Sequence, residues 1–425
     1  MLFPTRSSAY ARVSQTASQP SVHEAFRWLH LNQQQMLQWQ AEMLAIPAPP
    51  FGEGPRAGWL EEQFRKARLE QVQMDEVGNV LGLLPATHPG ELPREHPPCV
   101  LLSAHIDTVF PEGTPSAPVV SGTRIECPGA CDNAAGVVAL LGLSYALRIC
   151  EVPLSCDIVF AGNVGEEGEG DLRGIRRIYS HFPWATSIRS HLVLDGAGHD
   201  NAISQALGSL RFQVTIYGPG GHSFTDAGTP NPIIALACAI RNFTQTPLPA
   251  APRTTLNIGN IAGGTSVNSI PESATASFDL RSTDPDQLTM LEASLHRAIE
   301  DAVSTQNLGA DAHRSRGPLD YSIQKIGDRP AASLAADAPI LEALRAVDRH
   351  LGIPHTPEDF LHLGSTDANI PLSLGIPAVS IGAGGEGGAA HTRGEWYDAA
   401  RREIGLRRIL LFLLSLVEQA ATAIE

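Results

Sequence analysis

The sequence predicts an α/β domain with a mostly parallel sheet, interrupted by a smaller α+β domain. The chain has 425 residues, more than one α/β domain usually needs, so two domains are expected. Up to Asp195, buried strands alternate with helices, and this alternation is typical of a parallel sheet covered on both faces. After Gly208 the order changes to β-α-β-β-α-β, the order of a split βαβ sandwich.

Hydrophobic spacing places the elements of the first domain. Apolar residues recur at helical spacing from His23 to about Leu44, and Pro47, Pro49 and Pro50 end that helix. The continuous apolar run at 99–104 is typical of a buried strand. The same criteria predict helices at 56–68, 134–149 and 172–180, and strands at 157–161 and 191–194.

The second domain is predicted from alternating strands and two amphipathic helices. Strands are expected at 209–217, 254–261, 274–280 and 319–326, and helices at 232–243 and 285–303. The first domain then resumes with a helix at 339–351, a buried strand at 378–381 and a closing helix from Asp398. We therefore expect one domain in two parts, 1–207 and 327–425, around an inserted ferredoxin-like α+β domain at 208–326.

Composition excludes several classes of function. The apolar fraction of 43% and the charged fraction of 18% are those of an ordinary globular protein. A net charge of -15 argues against a nucleic-acid or anionic-membrane partner, because binding to phosphates needs clustered Lys and Arg. Six scattered cysteines fit structural thiols better than a disulfide framework. Residues 1–22 form a polar lead-in without the apolar segment of a signal peptide, so we expect a cytoplasmic protein.

Acidic residues and histidines gather where the predicted strands of the first domain end. They are His105 with Asp107, Asp132, the pair Glu166 and Glu167, Asp195, and His391. In an open α/β sheet, loops at the carboxyl ends of the strands converge on one edge, where ligands bind. In an extended stretch residues two apart face the same way, so Asp107 is placed to orient the ring of His105.

Each of these residues also has a structural explanation when it is taken alone. Asp132 is placed to cap the helix that begins at Ala134, and Glu166 and Glu167 fit a solvated turn. Five such positions at one sheet edge, however, favour a shared metal site. Two histidines and three carboxylates suit two Zn²⁺ ions, which a bridging carboxylate holds about 3.5–4 Å apart. One carboxylate of the Glu166–Glu167 pair then remains for proton transfer.

The motifs as a set resemble a known family. HID, GACDNAAG, GEEGEGDLRG, GGHS and a Gly-rich loop before HT are similar to those of the dinuclear zinc exopeptidases, which include peptidase T, glutamate carboxypeptidase and the aminoacylases. GEEGEGDLRG and HTRGEW are most similar to the peptidase T-like branch. The resemblance implies that Asp132 bridges two zinc ions, that His105 and Asp195 complete one site, and that Glu167 and His391 complete the other. It also implies Asp107 as the partner of His105 and Glu166 as the general base.

The resemblance assigns substrate-binding roles within the inserted lid or dimerisation domain. His222 matches a histidine that reaches the scissile carbonyl, and Asn268 and Arg281 match residues that hold a substrate carboxylate. For Arg281 a surface salt bridge is an equal alternative. Asn133 and the pair Ala134-Ala135 depart from the residues that many relatives carry, so the substrate preference can differ. Gly364 to Asp367 resembles a segment that lines the substrate pocket.

The expected function is that of a homodimeric di-zinc aminopeptidase acting on di- and tripeptides. Co²⁺ and Mn²⁺ are alternative metals. An N-acyl amino acid deacylase or a carboxypeptidase is the alternative within enzymes, because the same metal site serves all three. A metal-dependent peptide-binding protein is the non-enzyme alternative, although Glu166 would then have no use. A thiol enzyme built on Cys131 lacks a histidine partner outside the ligand set.

Overall fold

The computed structural model describes residues 8–87, 97–310, 315–354 and 362–422. Within them the helices are α1 (Ala9–Ala17), α2 (Pro20–Leu31), α3 (Gln33–Leu44), α4 (Gly54–Lys66), α5 (Ala134–Ile149), α6 (Arg173–His181), α7 (Pro232–Phe243), α8 (Pro285–Leu308), α9 (Pro339–Leu351), α10 (Asn369–Ser373) and α11 (Arg402–Thr422).

The strands are β1 (Glu70–Met74), β2 (Val80–Leu84), β3 (Cys99–His105), β4 (Val119–Ser121), β5 (Arg124–Glu126), β6 (Asp157–Asn163), β7 (Ile188–Leu194), β8 (Ile203–Ala206), β9 (Gly208–Tyr217), β10 (Gly221–His222), β11 (Thr254–Gly263), β12 (Ser269–Ile270), β13 (Ser273–Ser282), β14 (Asp320–Arg329), β15 (Ala332–Ser333), β16 (His362–Gly364), β17 (Ala378–Ile381), β18 (Glu386–Gly388) and β19 (Trp396–Asp398).

The chain folds as two compact units. The large unit comprises 1–206 and 333–425, and the inserted unit comprises 207–332. The predicted domain boundaries were 207/208 and 326/327. The second boundary differs because β14 continues to Arg329, beyond the point where apolar alternation ends in the sequence.

The sheet of the large unit is mixed, with a parallel centre. Its strand order is β1-β2-β6-β3-β7-β17-β8-β15, and β16 pairs with β8. The central strands β6, β3, β7 and β17 are parallel, whereas β1, β2 and the β17–β8 pair are antiparallel. The α/β class is confirmed, but "mostly parallel" holds for the centre alone. Every residue of β3 is buried, as a central strand covered on both faces requires.

The N-terminal segment differs from the predicted polar lead-in. From Ala9 it forms α1, whose Val13 and Ala17 are buried, and the Thr16 hydroxyl donates to Glu418 Oε1 at 2.7 Å. Residues 1–7 lie outside the described residues. The single helix predicted from His23 is two helices, α2 and α3, separated at Asn32. The apolar spacing continues across the break, so spacing alone did not reveal it.

The inserted unit is a ferredoxin-like sandwich. Its four-stranded antiparallel sheet has the order β11-β13-β9-β14, and α7 and α8 pack on one face. Phe212, Phe243 and Phe278 lie in that core, where Phe243 and Phe278 meet edge to face.

Two further features concern the described residues as a whole. Among the described residues no helix is both long enough and apolar enough to cross a bilayer. The six cysteines all fall within the described residues, and all are free thiols.

Candidate metal centre

The central parallel strands bring the predicted ligands to one edge of the large sheet. His105 is the last residue of β3, Asp195 directly follows β7, and Glu166 and Glu167 follow β6. His391 lies in the segment after β17. These four strands are neighbours, so their carboxyl ends meet at the same edge.

Asp132 reaches this edge from the loop before α5. The helix cap is Asn133, whose Oδ1 accepts from the Gly136 amide at 3.1 Å. Asn133 also donates to the carbonyl of Leu194 at 2.8 Å, which ties the loop to the end of β7. The capping explanation for Asp132 is therefore wrong, because its neighbour performs that task and leaves the Asp132 carboxylate to the cluster.

Two of the candidate ligand groups share Asp132, and a third consists of His105, Glu166 and Glu167. His105 Nε2 lies 3.1 Å from Asp132 Oδ1 and 3.7 Å from Asp195 Oδ1. His391 Nε2 lies 3.0 Å from Asp132 Oδ2 and 3.2 Å from Glu167 Oε1. Each oxygen of Asp132 thus faces one histidine. In each group the three donor atoms lie within 4.8 Å of one another, close enough to bind a single ion.

The donor set fits divalent cations. Imidazole nitrogen and carboxylate oxygen are both ligands that zinc accepts. His105 Nε2 and Asp132 Oδ1 are buried and make no hydrogen bond among the described residues. Buried polar atoms are nearly always satisfied, so two such atoms facing each other indicate that a cation belongs between them.

The carboxylates at the centre outnumber the histidines, so the local charge is negative. Hydrogen bonding to Asp132 raises the pKa of His391 to about 9. Burial by itself would lower the pKa of His105, but contacts with Asp107, Asp132 and Asp195 outweigh burial and raise it well above its usual value. Burial, followed by repulsion from Asp132, raises the pKa of Glu167 to about 7. Positive charge is thus strongly favoured here, whether it comes as protons or as a metal ion.

Asp107 contacts the backbone of the glutamate pair more closely than the ring of His105. Its Oδ1 accepts from the Glu166 amide at 3.1 Å and its Oδ2 from the Glu167 amide at 2.8 Å. The same Oδ1 lies 3.6 Å from His105 Nδ1, whereas the backbone oxygen of Asp107 lies 3.2 Å from that nitrogen. The fully buried carboxylate therefore orients the Glu166–Glu167 segment, a role that the sequence did not reveal.

One further residue near the metal ligands was not predicted from the sequence. Arg56 on α4 is 2% exposed and donates to the carbonyl of Ile106 at 2.8 Å and to that of Ile46. It thereby fixes the backbone carbonyl of Ile106, the residue between His105 and Asp107. A lone arginine in an amphipathic helix carries no signal for such a contact.

The segment at 364–367 also approaches this edge. Asp367 is fully buried and accepts from Asn163 Nδ2 at 2.7 Å, next to the end of β6. Burial raises its pKa to about 7. The hydroxyl oxygen of the neighbouring Thr366 accepts from the Ala368 amide. His362 is exposed on β16.

The three predicted substrate-binding residues lie in the inserted unit. His222 is exposed on β10, and its Nδ1 accepts from the amides of Phe224 and Thr225, so a neutral ring carries its proton on Nε2. Asn268 is exposed, and its backbone carbonyl accepts from the Ser223 amide at 3.0 Å. These two residues therefore lie close together, since His222 on β10 pairs with Ser269, the residue after Asn268.

Arg281 on β13 is engaged in an ion pair. Its Nε donates to Asp279 Oδ2 at 2.7 Å, and its side chain is 37% exposed. Residues two apart on a strand face the same side, which explains the pairing. The salt bridge named as the alternative is thus present in the structure.

Comparison with known proteins finds two peptidase family models and several related sequences that match this chain. Residues 205–306 match the peptidase dimerisation domain, and residues 84–223 match peptidase family M28. YqjE of Bacillus subtilis is 24% identical over 86% of this chain and 94% of its own length. A succinyl-diaminopimelate desuccinylase of Methylobacterium is 27% identical, over 48% of this chain and 56% of its own length.

Solved structures show the same fold. A tripeptidase from Staphylococcus aureus aligns with a TM-score of 0.70 at 22% identity, covering 91% of this chain and 99% of its own. The aminopeptidase PepT of Bacillus cereus aligns with a TM-score of 0.69 at 20% identity, with the same coverage.

Fold, site and sequence matches together define a hydrolytic enzyme of the peptidase class. More particularly, the resemblance to a family of peptidases, first indicated by the motifs, is confirmed by the matches to the peptidase dimerisation domain and to peptidase family M28.

Proposed function

We propose that the chain is a di-zinc exopeptidase that hydrolyses small peptides, with peptidase T-like aminopeptidase activity on di- or tripeptides. The observation that carries the proposal is the placement of Asp132, one oxygen toward His105 and the other toward His391. Asp195 and Glu167 complete the two groups. A carboxylate shared in this way is what a two-metal hydrolytic site needs.

The proposed roles of the chain's residues follow from this geometry. His105, Asp132 and Asp195 hold one ion, and Asp132, Glu167 and His391 hold the other. When bound, the ions supply Lewis-acid activation of water and of the scissile carbonyl. Glu166, 5% exposed at the same edge, takes the proton of the attacking water on its carboxylate and delivers it to the leaving amine.

Substrate recognition is part of the proposal. His222, Asn268 and Arg281 are proposed to bind the substrate, and their exposure or partial exposure leaves them accessible. An N-acyl amino acid deacylase is the second candidate, favoured by the match to a succinyl-diaminopimelate desuccinylase. A thiol enzyme is disfavoured because burial raises the pKa of Cys131 to about 12, which keeps the sulfur protonated.

A direct assay separates these candidates. Purified protein loaded with Zn²⁺, Co²⁺ or Mn²⁺ is incubated with di- and tripeptides, their N-acylated forms and N-succinyl amino acids, and the products are identified by mass. We expect loss of the N-terminal residue from peptides with a free amine. Cleavage confined to N-acyl substrates would favour the deacylase, and release of the C-terminal residue a carboxypeptidase. No cleavage by protein carrying two ions would contradict the proposal.

A homodimer through the inserted unit is also proposed. The match to the peptidase dimerisation domain supports it. So do the exposed apolar side chains of Ile233 and Ile234 on α7 and of Ile261 on the edge strand β11, which we propose as the apolar surface of the dimer. The reducing compartment implied by six free thiols supports a cytoplasmic location.

Light scattering after size exclusion tests the dimer. Ile234→Glu places a charge on the apolar surface and should yield monomers. Ile326→Glu is the matched control, because Ile326 is a similarly exposed isoleucine on β14, at the other edge of the sheet. A wild-type monomer, or equal effects of the two changes, would contradict this surface.

A further inference from the structure

A buried carboxylate outside the ligand set holds the loop that carries Asp132. Glu395 is 1% exposed. Its Oε2 accepts from the Gly129 amide at 2.9 Å, and its Oε1 accepts from the amides of Cys131 at 2.8 Å and Asp132 at 2.7 Å. Hydrogen bonds from amides to an ionised carboxylate are stronger than those to neutral acceptors. One side chain therefore fixes three peptides of this loop, including that of Asp132 itself.

The other face of the loop is held as well. Gln40 on α3 is fully buried and donates to the carbonyl of Ala130 at 2.8 Å. Gly129 has φ of +81°, and a side chain there would meet Thr108 Cγ2 at 2.7 Å, so the turn leaves room for glycine alone. With both faces held, the direction of the Asp132 side chain depends on the hydrogen bonds to Glu395.

Glu395 also connects the loop of Asp132 with the loop of His391. It lies in the segment that follows His391, and its backbone carbonyl accepts from the Cys127 amide at 3.0 Å. The carboxylate and the carbonyl of one residue thus join the loop of the shared ligand Asp132 to the loop of His391. A change in Glu395 is transmitted to both.

We propose that Glu395 is a positioning residue for the metal centre: it sets the loop of Asp132 against the loop of His391 so that both ions can share the Asp132 carboxylate. The inference rests on the proposed di-metal function. Loss of a group that supports a metal ligand typically weakens metal binding 10- to 100-fold, and here both ions should be affected because the supported ligand is shared.

The test is Glu395→Gln, compared with Glu386→Gln. The amide replaces one acceptor by an NH₂ group that faces backbone donors, so at least one hydrogen bond is lost. Glu386 is an exposed glutamate on the nearby strand β18 and serves as the control. Metal affinity is measured by chelator competition, and the Co²⁺-substituted protein is examined by visible absorption, which reports ligand geometry without any turnover.

We expect Glu395→Gln to weaken metal binding about 10- to 100-fold and to change the Co²⁺ spectrum, with circular dichroism still that of a folded protein. Glu386→Gln should match wild type in both readouts. A folded Glu395→Gln protein with wild-type affinity and spectrum would overturn the inference. Failure of the wild type itself to bind two ions would instead overturn the metal centre.

Glu395→Asp covers the case in which the glutamine variant does not fold. Aspartate keeps the charge but is one methylene shorter, so it can reach fewer of the three amides. A folded aspartate variant with weakened binding and an altered spectrum supports the inference. Wild-type binding by this variant, or failure of both variants to fold, assigns Glu395 to fold stability alone and overturns it.

Discussion

The two units of the molecule present their candidate functional residues in different ways. In the large unit, His105, Asp107 and Glu166 are at most 5% exposed and interlocked with buried backbone. In the inserted unit, His222 and Asn268 are exposed. Burial holds side chains in one geometry and strengthens electrostatic interactions, whereas exposed side chains adapt but bind weakly. The proposed roles follow this contrast, with chemistry assigned to the large unit and substrate recognition to the inserted unit.

His391 is the exception within the large unit. Its side chain is 54% exposed, and its φ is +64° in the segment after the Gly-rich loop. His105, by contrast, is 1% exposed at the end of a central strand. One of the two metal groups is thus anchored in the sheet, and the other depends on a loop. Three predictions test these contrasts between buried and exposed residues, and between the sheet-anchored and the loop-held metal group.

The largest effect is expected from Glu166→Gln, in the buried part of the large unit. The change keeps the shape but removes the base, so turnover should fall about 10²- to 10⁴-fold while metal content stays the same. Kinetics and elemental analysis measure both.

Glu169→Gln is the control, because Glu169 is exposed in the same loop. Near-normal turnover in Glu166→Gln would remove Glu166 from catalysis. Loss of an ion would instead make Glu166 a ligand, which its closeness to His105 and Glu167 allows.

A smaller effect should separate the two histidines. His391→Ala should lose one ion per chain with little change in thermal stability, since the ring is exposed. His105→Ala should also lose an ion, and it should destabilise the fold by about 1–3 kcal/mol because buried polar groups lose their partner. Calorimetry and metal analysis give both quantities.

The exposed His23 provides the control, and His23→Ala should change neither quantity. Equal destabilisation by His105→Ala and His391→Ala would break the distinction between a sheet-anchored and a loop-held group.

The smallest effect concerns the inserted unit. A guanidinium that holds a substrate carboxylate contributes about 1.5–3 kcal/mol, so Arg281→Ala should raise KM for free-acid peptides about tenfold to a hundredfold. C-terminally amidated peptides should already be poor substrates of the wild type.

Asp279→Asn removes the partner of the Arg281 ion pair and keeps the guanidinium. If Arg281 serves the salt bridge alone, both variants should leave KM unchanged. Amidated peptides cleaved as well as free acids would show that no carboxylate pocket exists.

Most of the regular structure was predictable from local patterns. The bounds predicted for α5, α7, α9 and β17 agree with the structure residue for residue. The short strands β4, β5, β18 and β19 were missed, because segments of three residues carry too little alternation to detect. The antiparallel edge strands β1 and β2, five residues each, were not predicted as strands either, and their direction depends on pairing, which apolar runs do not encode.

What the sequence by itself determined is which residues can act as ligands and where the strands that present them end. Spacing and strand ends, which are local properties, identified His105, Asp132, the pair Glu166–Glu167, Asp195 and His391, and the family resemblance selected Glu167 from that pair. Only the tertiary structure decided which groups hold them in place. Asp107 bonds to amides 59 and 60 residues away, and Glu395 to amides more than 260 residues away. Such contacts form because the fold brings distant loops to one sheet edge, where each buried charge must find donors.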